Sequence, residues 1–106
     1  MIQVTIKENA WLARWAAHRL RAYSCAIVFG KTICLHNVSR DQFLEDESYV
    51  FHEVTHVKQW LKHGYFIFPI KYVYYSFKYG YYNNPFEKEA REMESQEKIM
   101  ANVKIL

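Results

Sequence analysis

The chain has 106 residues, 51% of them apolar and 24% charged, with a formal net charge of +3. That length holds one domain, residues 1–106, with a modest core of its own, and that composition excludes a disordered chain. The charge is too mild to imply a nucleic-acid partner, and no repeat, low-complexity tract or long apolar span marks a fibrous or membrane-spanning protein.

Residues 1–7 alternate through Ile2, Val4 and Ile6, the pattern of a short strand or an extended arm. Residues 1–8 lack the basic start and apolar core of a secretory signal, so a cytoplasmic location is expected. In residues 8–22 the set Trp11, Leu12, Trp15, Ala16, Ala17 and Leu20 predicts an amphipathic helix with Arg14, His18 and Arg21 on its wet side. Two β-type runs, 24–29 and 32–36, flank Gly30-Lys31, a two-residue hairpin signal. In that hairpin Cys25 and Cys34 are not directly opposed, which predicts two reduced thiols rather than a disulfide. The run 32–36 is the expected edge strand. Ser39 and Gln42 have the spacing of a capping box, and Asp46 is placed to cap the next helix.

That helix carries His52-Glu53-Val54-Thr55-His56. Residues four apart point the same way on a helix, so His52 and His56 can grip one metal ion while Glu53 works on a bound water. This is the H-E-x-x-H pattern of zinc hydrolysis; the plainer reading is a surface helix with two unrelated histidines. Val50, Val54, Val57 and Leu61 form the core stripe, and His52, His56, Gln59 and His63 lie nearly opposite. Thr55, Lys58 and Lys62 fall on a narrow solvated strip. Gly64 ends the helix.

From Tyr65 to Tyr82, ten of eighteen residues are aromatic. Ile70, Val73 and Phe77 fit a helical stripe after Pro69. Core packing is the main expectation for this segment, a substrate cleft walled by tyrosines the sharper one, and a membrane-surface patch with Lys62, Lys71 and Lys78 the lesser one. Asn84, Pro85 and Glu87 then form a strong helix start, with the helix expected to reach about Ala101 and to bury Phe86, Ala90, Met93 and Met100.

A catalytic zinc takes three protein ligands and keeps one position open. Position 62 is Lys, where a metzincin would place its third His, and His63 lies too far along the helix to join His52. The segment Asn84-Pro-Phe-Glu-Lys-Glu-Ala-Arg91, following the H-E-x-x-H helix, resembles the gluzincins, in particular their minimal one-domain members, the minigluzincins. The likeness spans residues 48–92. It implies a Zn²⁺ site of His52, His56 and Glu87, with Glu53 as general base and Glu89 as reserve ligand. The plainer reading of Glu87 is a capping-box residue. One departure stands out: Arg91 follows Ala90 where related peptidases often have Asp, which leaves Glu94 to orient a ligand His or Arg91 to hold Glu87.

The resulting expectation is an α+β, zincin-like minimal domain: an N-terminal helix, a small antiparallel sheet, the H-E-x-x-H helix and a Glu-bearing helix. Its implied activity is hydrolysis of a peptide or protein substrate, with one of Tyr79, Tyr81, Tyr82 or Arg91 steadying the oxyanion. The other class is a non-catalytic zincin-fold module that binds zinc and a protein partner. The apolar tail 103–106 or the start 1–6 is a candidate to dock in the cleft and hold it latent.

Overall fold

The computed structural model describes residues 1–106. The fold is α+β. In chain order it runs β1 (Ile2–Lys7), α1 (Trp11–Leu20), β2 (Cys25–Phe29), β3 (Thr32–His36), α2 (Arg40–Glu45), α3 (Glu47–His63), α4 (Ile67–Tyr79) and α5 (Pro85–Glu92). Two 3₁₀ turns, Met93–Ser95 and Glu97–Met100, lead to β4 (Val103–Ile105). No helix is long and apolar enough to cross a membrane.

The sheet is mixed rather than antiparallel, in the order β2-β3-β1-β4. Gly30, in a left-handed conformation, turns β2 back on β3, so that Ile27 faces Cys34 and Cys25 faces His36. The two thiols are therefore offset, and both are free. β1 pairs in parallel with β3 at Thr5–Thr32 and with β4 at Ile2–Val103. Two expectations fall here. Residues 32–36 are interior to the sheet, whose two edges are β2 and β4. Both chain ends are sheet strands, so neither docks in a cleft.

Alternation along the hairpin divides the sheet's two faces. Ile27 and Cys34 pack on Ala10 and Ala13 of the α1 region. Val28, Ile33 and Leu35 join Phe43, Val54, Val57 and Phe68 in the main core. α1 buries its alanines, Ala13, Ala16 and Ala17, because small side chains let the helix backbone sit close to the sheet. Arg14, His18 and Arg21 are exposed as expected, but the large residues Trp11, Trp15 and Leu20, expected on the buried side, turn outward with them.

α2 begins with the complete Ser39–Gln42 capping box, and Asp46 accepts from the Tyr49 amide at the head of α3. α3 runs through the middle of the molecule and buries Val50, Phe51, Val54, Val57 and Trp60, but also Glu53, Thr55, His56 and Gln59. Leu61, expected in the core, is exposed, and Thr55, expected in solvent, is buried with its hydroxyl on the Phe51 carbonyl. α4 packs through Phe68 and leaves Ile70, Val73 and Phe77 exposed, so the stripe expected in the core faces out. α5 ends at Glu92 rather than near Ala101; Phe86 and Ala90 are buried, whereas Met93 and Met100 are half-buried in the 3₁₀ turns.

Asn84 fixes where α5 begins. It is fully buried; its Oδ1 accepts from the Phe86 amide, and its Nδ2 donates to the Tyr72 carbonyl and the Ser76 hydroxyl of α4. Asn84→Ala removes all three bonds at once and is expected to cost about 2–3 kcal/mol, against less than about 0.5 kcal/mol for the exposed neighbour Asn83→Ala. Urea denaturation of both variants checks this; equal midpoints would show that α5 is anchored elsewhere.

Candidate metal centre

α3 and α5 cross so that their polar residues meet. One donor atom each from His52, His56 and Glu87 lies within 4.8 Å of the others. His52 Nε2 stands 3.1 Å from Glu87 Oε1, and His56 Nε2 stands 3.2 Å from Glu87 Oε2. The i, i+4 spacing puts the two rings side by side with centroids 5.1 Å apart. Glu87, at the third position of α5, reaches across to both.

The far nitrogens of the two rings decide what the near ones can do. Gln59 Nε2 donates to the Phe86 carbonyl at 3.0 Å and to Glu89 Oε1 at 2.7 Å, both groups that accept. Its oxygen therefore faces His56 Nδ1, at 2.8 Å, and that nitrogen must carry the proton. His52 Nδ1 likewise meets the Glu94 carboxylate at 2.8 Å. In the metal-free chain each Nε2 donates to the Glu87 carboxylate; on losing that proton each can offer its lone pair to an ion, the ring being held by an outer partner as metal-bound imidazoles are. Around a tetrahedral zinc, nitrogen and oxygen ligands at about 2.0–2.1 Å stand about 3.3 Å from one another. The three donor atoms lie within 4.8 Å of one another, close enough for one ion to reach all three, and two imidazoles with a carboxylate are a donor set that suits zinc.

Glu89 accepts from Gln59 and is not one of the three grouped residues. Arg91 does not hold Glu87: it donates to the Tyr82 carbonyl and lies 4.1 Å over the Tyr82 ring. Glu94 takes the orienting role instead. His63 packs edge-on to Phe86, away from the site. Of the four candidates to steady an oxyanion, only Tyr81 lines the cleft. Tyr79 stacks on Tyr75 and Tyr82 is occupied by Arg91. Tyr72, which carries no spacing signal in the sequence, donates its hydroxyl to Glu87 Oε2. Gln59 had a signal, its place one turn after His56, but no assigned task.

The cleft is about 320 Å³ and runs along the free edge of β2. Trp15, Ala16, Arg19 and Leu20 of α1 form one side, Pro69, Tyr72 and Val73 of α4 the other, and Glu53, His56 and Glu87 its polar floor. Glu53 is only 5% exposed, and burial raises its carboxyl to about 7 against the opposing pull of His56 and His52. Glu87 feels the same burial, but its hydrogen bonds to His52 and His56 outweigh it and hold the carboxyl well below the usual range. Burial disfavours the charged form of His52, yet its bond to Glu87 and the charge of Glu53 raise it to about 9. Cys25 also lines the cleft; burial and then Glu53 push its thiol up to about 11, so it is no nucleophile near neutral pH.

No protein-family model, curated protein or solved structure matches the chain.

These shifts give the metal-free chain a definite pH profile. His52 holds its proton more tightly when folded, so its contribution is complete below pH 6.5 and is lost as pH rises through about 9. Glu53 acts in the same direction between its ordinary 4.5 and about 7. Glu87 acts oppositely, contributing above pH 4.5 and failing only in stronger acid. The chelator-treated protein is expected to melt at a lower temperature at about pH 9 than at about pH 6. A melting point that stays level or rises over that interval contradicts the arrangement.

Proposed function

We propose that the chain is a minimal, gluzincin-like zinc metallopeptidase, with zinc held by His52, His56 and Glu87. The observation that supports this most directly is the convergence of His52 Nε2 and His56 Nε2 on the Glu87 carboxylate while Gln59 and Glu94 hold their outer nitrogens. A bound zinc supplies Lewis-acid polarisation of a carbonyl oxygen and makes a water acidic near neutral pH.

The chain's own residues supply the rest. Glu53, buried on the cleft floor with a carboxyl raised to about 7, accepts the water proton on a carboxylate oxygen and returns it to the leaving amine. A general base works best with a pKa near the working pH, and burial puts Glu53 there. Glu53, His56 and Glu87 on the floor are themselves almost fully buried, which strengthens each charge there. Tyr81 is the donor placed to steady the developing oxyanion, and Tyr72 holds Glu87 in position. The unpaired backbone edge of β2 lies along the cleft and takes an extended peptide by strand addition. The two free thiols suit a reducing, cytoplasmic setting.

Elemental analysis of zinc-reconstituted protein is expected to give about one zinc per chain, lost in His56→Ala and weakened roughly 10–100-fold in Gln59→Ala. Absence of stoichiometric metal in the wild type rules the reading out. Glu53→Gln keeps the shape and the zinc but cannot accept the proton, so peptide cleavage is expected to fall about 10²–10⁴-fold. A wild type that binds zinc and cleaves no member of a peptide library is a non-catalytic zincin-fold module instead.

A further inference from the structure

Two large apolar surfaces were expected inside and lie outside. On α4 and its cap the set Phe66, Ile70, Val73 and Phe77 follows i, i+4, i+7, i+11 and forms one continuous outward stripe, with Phe77 93% exposed. The opposite face of α4 already packs through Phe68 and Tyr72, so the stripe is additional to the core. On α1 the exposed residues are Trp11, Trp15 and Leu20. Both surfaces border the same opening, because Trp15 and Leu20 on one side and Val73 on the other also line the cleft.

Charge is distributed with them. Residues 9–40 and 54–86 hold nine Lys or Arg and no Asp or Glu, while the rest of the chain holds five Lys or Arg against eleven Asp or Glu. The helices on the two sides of the cleft therefore carry Arg14, Arg19, Lys71 and Lys78 with no carboxylate of their own. Arg19 lies 5.9 Å over the Trp15 ring, and Lys78 lies 5.2 Å over the Tyr79 ring. Exposed aliphatic and phenyl groups rimmed by Lys, Arg, Tyr and Trp match the layering of a lipid headgroup region, where apolar side chains enter the acyl boundary and cations stay at the phosphates.

We infer that α1 and α4 form two lips by which the chain docks on an anionic lipid surface, with the mouth of the cleft turned toward that surface. A second copy of the chain is the poorer occupant: stacking this face on itself opposes cation to cation with no carboxylate between them. The docking rests on the surface alone and holds whether or not the cleft cleaves anything.

The test floats the intact chain with vesicles of phosphatidylcholine alone or phosphatidylcholine mixed with phosphatidylglycerol. The chain is expected to rise with the anionic vesicles, to rise far less with the neutral ones, and to be released by high salt. The Ile70→Ser/Phe77→Ser double variant changes only exposed positions and keeps the wild-type circular dichroism; its vesicle affinity is expected to fall about tenfold or more. Lys71→Glu/Lys78→Glu is expected to do the same, and Lys104→Glu, on β4, to change little. The inference is overturned by absence of binding to anionic vesicles, by wild-type binding in either double variant, or by a Lys104→Glu loss as large as theirs. It is equally overturned if the chain without lipid sediments as a dimer that Ile70→Ser/Phe77→Ser dissociates, which gives the face to a second copy.

Discussion

The centre depends on two imidazole rings being held from behind. A buried ring with a free outer nitrogen would be costly and could rotate; here Gln59 and Glu94 fix both the angle and the proton. The Gln59 amide has no slack, since its nitrogen is shared between the Phe86 carbonyl and Glu89. That single side chain couples the orientation of His56 on α3 to the first turn of α5, from which Glu87 projects. Asn84 ties the same turn back to α4. The three helices are locked together by polar contacts inside a small domain whose apolar core lies mostly on the sheet side of α3.

A polar floor beneath apolar walls also sets the electrostatics. In such surroundings two carboxylates a short distance apart have opposite fates. Glu87 is drawn down by two histidines and a tyrosine hydroxyl in direct contact, whereas Glu53 has the histidines' attraction only at longer range and burial prevails. Opposed environments of this kind assign different roles to chemically identical groups.

Much of the candidate site was legible in the sequence because its signals are local. Helical spacing alone aligns His52 with His56, whereas Glu87 entered only through the resemblance to the gluzincins, its local signal being that of a helix start. Element types were legible for the same reason, through Gly30, the Ser39–Gln42 box and Asp46. What could not be read was which face of a helix turns inward when both are apolar. On α1 the alanines win because they permit close approach to the sheet, and on α4 Phe68 and Tyr72 win over Ile70, Val73 and Phe77. The parallel pairing of β4 with β1 was equally invisible, since it joins residues about a hundred positions apart and leaves no turn signal. Tyr72 reached the site by tertiary placement, with nothing nearby in the chain to announce it.

That same β1–β4 ladder bears on how the molecule assembles. Ile2 pairs with Val103, so nearly the whole chain is enclosed by one closure, and its loop entropy must be met before the pairing returns anything. The hairpin of β2 and β3 and the helices α2 and α3 involve near neighbours and can form early. β4 is the last element in chain order, so β1 gains its second partner only after α5 has already been made. Synthesis thus brings out the paired histidines of α3 first, the carboxylate of α5 next and the strand that closes the sheet last.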